Sequence, residues 1–129
     1  MRPKARDAEF EDFVRRRRSH LLGTAVVLIG PRGAGKTTTG RILAQTLGFG
    51  FVDGDGALAA KVGQPAGQYL AAVGEAAFRA TEAAVTVPAL ASAQSQVVAL
   101  GGGAVTVPEV RTALQRPGLF VVFLHAPGD

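Results

Sequence analysis

The sequence of 129 residues contains no cysteine, which excludes disulfides and thiolate metal sites and suits a reducing compartment. Histidine is scarce as well. His20 and His125 have no metal-binding companions and read as structural or surface residues. No apolar run approaches the ~18 residues that a membrane span needs. LLGTAVVLIG, behind Arg15 to Arg18, imitates the charged and apolar regions of a signal peptide, but it leads into PRGAGK rather than a small-residue cleavage site. Charge imbalance is missing from most of the chain, although the net charge is +4. Residues 1–22 carry seven Lys/Arg against four acids, while the other 107 residues carry seven against six. The excess therefore sits in a basic N-terminal arm, which disfavours nucleic acid as a partner of the body.

What is present is a globular chain, 47% apolar and 19% charged, long enough for one domain over 23–129 behind the arm at 1–22. Within the arm, DAEFEDFVRRRR sets Phe10, Phe13 and Val14 at helical spacing with acids early and arginines late, the order a helix dipole favours. It reads as a solvated helix lying on the domain, with a docking or anion-binding element as the other reading. AVVLI (25–29), GFVDGD (50–55), QVVAL (96–100) and LFVVFLH (119–125) read as short strands. Helical patterns separate them: TGRILAQTLG, a weak and interrupted 57–72, a long 74–93 perturbed near Pro88, and PEVRTALQ opened by proline. Strands alternating with helices predict an α/β domain with a parallel sheet. No internal repeat or low-complexity segment is visible apart from the Ala-rich helices.

The strongest motif is Gly30-Pro-Arg-Gly-Ala-Gly35-Lys36-Thr37, which fits G-x-x-x-x-G-K-[ST] between a buried-type strand and an amphipathic helix. Glycines let backbone N–H groups turn inward as an anion nest, and the following helix aims its N-terminal dipole at the same phosphates. Gly33, Ala34, Gly35, Lys36, Thr37 and Thr38 are thus the candidate nucleotide-binding residues. Lys36 neutralises the β/γ-phosphates and the Thr37 hydroxyl ligates Mg²⁺. The loop alone leaves a kinase, a switch GTPase, an ATPase motor or a nucleotide sensor open. FVDGDGA places Asp53 and Asp55 one residue apart, which is a solvated loop or a pair with chemical work. Arg79 is a carboxylate-binding guanidinium or a surface residue pairing with Glu75 or Glu82 at helix spacing. Gly101, Gly102 and Gly103 form a plain turn or a close approach of backbone to ligand.

Taken in order, GAGKTTTGRILAQTLG, DGD, GEAAFRATE and VALGGGAV resemble shikimate kinase from about residue 25 to residue 125. The resemblance implies a P-loop NTPase-type three-layer α/β domain, with ATP and Mg²⁺ as cofactors. It implies phosphorylation of shikimate in the cytoplasm, on the route to chorismate and the aromatic amino acids, by a monomer without membrane attachment. It implies that Asp53 serves the magnesium and its waters. Asp55 contacts the attacking hydroxyl as the proposed base, a task that suits a carboxylate. On an extended turn their side chains point apart, so two jobs are easier than one shared job. Arg79 is then the group that binds the shikimate carboxylate, and Gly101 to Gly103 bring backbone N–H groups to the substrate. Departures are also expected. VGQPAGQYL has Pro65 and Gly67 where the family usually continues a helical substrate-binding segment. Family members run on past the fourth strand into a lid, a second substrate arginine, a last strand and an adenine-contacting segment, for which LFVVFLHAPGD provides no counterpart. The alternative is therefore a nucleotide-binding or regulatory module of the same fold without turnover. Another small-metabolite kinase, such as a gluconate kinase, fits the combined motifs less well.

Overall fold

The structure, a computed structural model, describes residues 5–17, 21–31 and 33–125. Arg18, His20 and the four residues after His125 lie outside the described residues. The described residues form four parallel strands, β1 (Ala25–Ile29), β2 (Gly50–Asp53), β3 (Gln96–Ala99) and β4 (Leu119–Phe123), in the order β2-β3-β1-β4. In register, Ala25 sits beside Gln96 on one flank and beside Leu119 on the other. Gly50 pairs with Gln96 at the far edge.

AVVLI is apolar at every position because β1 is covered on both faces. Ala25 and Val27 join Leu90, Ala93, Val98 and Val110 on one side. Val26 and Leu28 join Leu43, Leu47, Phe49 and Val97 on the other. This alternation follows from the two-residue period of a strand, and it produces three layers. Helix α2 (Lys36–Leu47) covers the second face and ends at Gly48, whose left-handed backbone donates to the carbonyls of Ala44 and Gln45. Helix α1 (Ala5–Arg16) seats Val14 in the same cluster, while Phe13 is exposed beneath the Arg17 guanidinium.

The interval between β2 and β3 differs from the sequence expectation in detail. Strand β2 stops at Asp53, and α3 (Gly54–Val62) begins at once, so the acidic turn is a helix start rather than an extended stretch. Helix α4 (Ala66–Val73) follows, with Pro65 as its N-cap and Gly67 inside it. The segment is therefore helical despite both residues, because proline is compatible with the threshold of a helix and the cost of glycine there is modest. Helix α5 (Glu75–Ser92) runs through Pro88, and a short 3₁₀ turn at Ala104–Thr106 leads into α6 (Pro108–Ala113). Among the described residues no helix is long and apolar enough to cross a membrane.

Candidate functional site

The site lies at the carboxyl ends of β1, β2 and β3, where a parallel sheet leaves a crevice between strand ends and helix starts. After β1 the chain turns through the glycine loop. Gly35 has φ +84°, a left-handed value that favours glycine, and it serves as N-cap of α2. The first bond of the helix runs from the Thr39 N–H to the Gly35 carbonyl at 2.9 Å. The amides of Lys36, Thr37 and Thr38 are thereby left outside the helical ladder, ready for an anion. Ala34 turns its N–H back onto the Pro31 carbonyl at 3.2 Å and does not border the cleft. The Lys36 ammonium donates to the carbonyls of Gly30 at 2.7 Å and Pro31 at 3.0 Å. Burial lowers its pKa below the ordinary lysine value of 10.5, and the Asp55 carboxylate opposes that shift.

Two clefts meet at this place. The first, about 280 Å³, is bordered by Gly33, Gly35, Lys36, Thr37, Thr38, Asp53 and Asp55, with the β3 end at Ala99 to Gly102 behind them. The second, about 440 Å³, has a charged side of Asp55, Arg79 and Glu82 beside Gly102 and Gly103. Facing these are Pro31, Ala66, Gly67, Leu70 and Phe78. Asp55 and Gly102 border both clefts and form the partition between them.

The two aspartates are separated by secondary structure. Asp53 is the N-cap of α3, a position where carboxylates usually accept from the first-turn amides, yet its side chain makes no capping bond. Its oxygens are left to the cleft. Asp55 stands in the first turn of α3, where the helix dipole favours a negative charge. Among the described residues no three His, Cys, Asp or Glu side chains gather as an all-protein cage. One carboxylate and the Thr37 hydroxyl suit Mg²⁺, which keeps waters and substrate phosphates in its shell.

Arg79 makes the helix-spaced pairings expected of it and also borders the second cleft. It donates to Glu82 at 2.7 Å and approaches Glu75 at 3.9 Å, yet its side chain is 27% exposed and that of Glu82 only 6%. Its Nε is buried without a hydrogen-bond partner. Such an orphaned donor beside a cleft suits an anionic ligand. Sequence reasoning missed Glu82 as a site residue. Phe78, Glu82, Thr86 and Leu90 form a buried row at every fourth position, so the spacing already set this glutamate on the core face. The apolar wall of Ala66, Gly67 and Leu70 left no such signal.

The glycine triplet turns the chain after β3, with the Ala104 N–H on the Gly101 carbonyl at 3.1 Å, and charged side chains crowd it at two positions. A β-carbon at Gly101 would come within 2.7 Å of Glu82 Oε2 and 2.8 Å of Asp55 Oδ1, and one at Gly103 would land on the Arg79 guanidinium. The charged side chains thus pack directly on bare backbone. His125 meets Phe123 edge-on at 4.9 Å between ring centroids and borders neither cleft.

The shikimate kinase family model matches residues 32–129. The shikimate kinase of Halorhodospira halophila is 47% identical over 102 residues, covering 79% of this chain and 56% of the relative. That of Symbiobacterium thermophilum is 48% identical over 101 residues, covering 78% and 57% respectively. The solved shikimate kinase from Acinetobacter baumannii in complex with shikimate superposes with a TM-score of 0.76 at 38% identity, over 84% of this chain and 60% of that one. The chain spans little more than half the length of the curated relatives it matches.

Proposed function

The chain belongs to the shikimate kinase family, and from that premise we propose that it transfers the γ-phosphate of ATP to a hydroxyl of shikimate, giving ADP and shikimate 3-phosphate. The observation that carries the reading is the shared partition: Asp55 borders both a phosphate-type cleft and a cleft fitted with a guanidinium. An acceptor hydroxyl beside Asp55 faces a phosphate held by the loop.

Each residue then has a task its chemistry suits. The amides of Lys36, Thr37 and Thr38 receive the phosphate oxygens, and Lys36 exchanges its bonds to the Gly30 and Pro31 carbonyls for the β/γ-phosphates. Arg79, held by Glu82, pairs with the acceptor carboxylate, and the backbone at Gly101 to Gly103 approaches the acceptor ring. Asp55 takes the hydroxyl proton as the acceptor oxygen bonds to the γ-phosphorus and the β–γ bridging bond breaks. Thr37 and Asp53 would hold Mg²⁺, which when bound would offset charge on the phosphates. The arm at 1–22 is read as an addition to the domain at 23–129, and the reaction is placed in the cytoplasm in a monomer.

Coupled ADP release with and without shikimate tests the reading. Shikimate-dependent release is expected, and Asp55→Asn should lower kcat by about 10²- to 10⁴-fold while nucleotide affinity persists. ATP binding with no shikimate-dependent release would sink the proposal in favour of a binding module.

A further inference from the structure

Helix α4 supplies much of the apolar wall of the acceptor cleft through Ala66, Gly67 and Leu70, yet none of its residues is buried. Spacings of three and four bring these residues to one face, the one turned to the cleft. A helix with so little buried surface needs another restraint to hold its distance from the charged side.

Tyr69, on a different face, provides one. Its hydroxyl lies 2.8 Å from Thr81 Oγ1 on α5. Thr81 commits its own proton to the Ala77 carbonyl at 3.1 Å, so Tyr69 is the donor. Among the described residues no other α4 side chain makes a hydrogen bond. The Tyr69 ring also packs against Phe78, 6.2 Å between centroids at 44°. Phe78 in turn borders the cleft and stacks near Arg79, whose Cζ is 5.2 Å from the ring centroid. One tyrosine thus joins the apolar wall to the two turns of α5 that carry Phe78, Arg79 and Glu82.

We propose that Tyr69 is a positioning residue for the acceptor, its hydroxyl bond to Thr81 holding the α4 wall at the spacing from Arg79 that the acceptor ring requires. The inference rests on the acceptor reading above. Tyr69 does not border the cleft, so its effect on binding passes through the placement of α4 and Phe78.

Calorimetric titration of the 129-residue chain with shikimate, and separately with a non-hydrolysable ATP analogue, tests this for the wild type, Tyr69→Phe, Thr81→Val and the double variant. Tyr69→Phe keeps the ring and removes only the donor. Shikimate affinity should fall about three- to tenfold in each single variant, the range of one lost hydrogen bond. The double variant should be no weaker than either single one, because both remove the same bond. Analogue affinity should not change. Shikimate affinity that survives Tyr69→Phe, or a loss shared equally by the analogue, overturns the positioning role alone. A wild-type chain that binds the analogue but not shikimate overturns the acceptor reading and this inference with it.

Discussion

Burial keeps the Lys36 ammonium short of full solvation, so its proton is bound less tightly than that of a free lysine. Between the lowered folded value and 10.5 the unfolded chain binds the extra proton, so the stability of the ligand-free protein rises with pH across that interval. In the role proposed for Lys36 the ammonium must be charged to bind phosphate, so ATP affinity should fall across the same interval, below the pH at which an ordinary lysine would titrate. Fluorescence titration of a labelled ATP analogue against pH checks both the direction and its owner. Lys36→Met should weaken binding about 10- to 100-fold near neutrality and flatten the alkaline limb. An unchanged limb would assign it to another group. Asp55, which opposes the burial effect on Lys36, was visible in the sequence together with the loop itself. The rest position of Lys36 on the Gly30 and Pro31 carbonyls was not, because no motif specifies where a lysine rests without its ligand.

Helix α5 shows how an element can depend on a residue far from it in sequence. It ends at Ser92 with Ala93 in extended backbone, without a left-handed glycine and without a basic residue in its last turn. Arg116 supplies both missing functions, donating from Nε to the Leu90 carbonyl and from Nη2 to the Ala93 carbonyl, each at 3.1 Å. Arg116→Ala would strand these carbonyls among buried neighbours and should cost about 2 kcal/mol, a fall in Tm of roughly 6–10 °C by thermal denaturation. Arg116→Lys should recover only part, since an ammonium lacks the planar fork. Elements defined by periodic apolar runs, such as AVVLI and TGRILAQTLG, were legible from the sequence alone. Those defined by tertiary support were not. DGDGA reads as a turn because aspartate and glycine are poor helix formers, yet α3 starts within it and sets Asp55 in a first helical turn. The Arg116 cap spans 23 and 26 residues, a separation no local pattern encodes.

At the scale of the molecule, protection should grade across the sheet. β1 lies between β3 and β4 and is sealed on both faces, whereas β4 forms an edge of the described sheet with Phe120 and Phe123 each 54% exposed. Hydrogen exchange followed by mass spectrometry should find the β1 amides slowest and β4 opening first. Equal protection in β4 would mean that this face is covered in solution. Strand order was not legible, since apolar runs reveal that strands exist and are buried but not which neighbours they choose. Tolerance of change is just as uneven. Most residues of the site are vulnerable to deletion: truncating Asp55, Lys36 or Arg79 removes a charge that borders a cleft. Gly101 and Gly103 have nothing to delete, and every amino-acid replacement there adds atoms where Glu82, Asp55 and Arg79 already lie. The charged side of the cleft can therefore be displaced with all of its charges still encoded, through a methyl group contributed by the strand end beneath it.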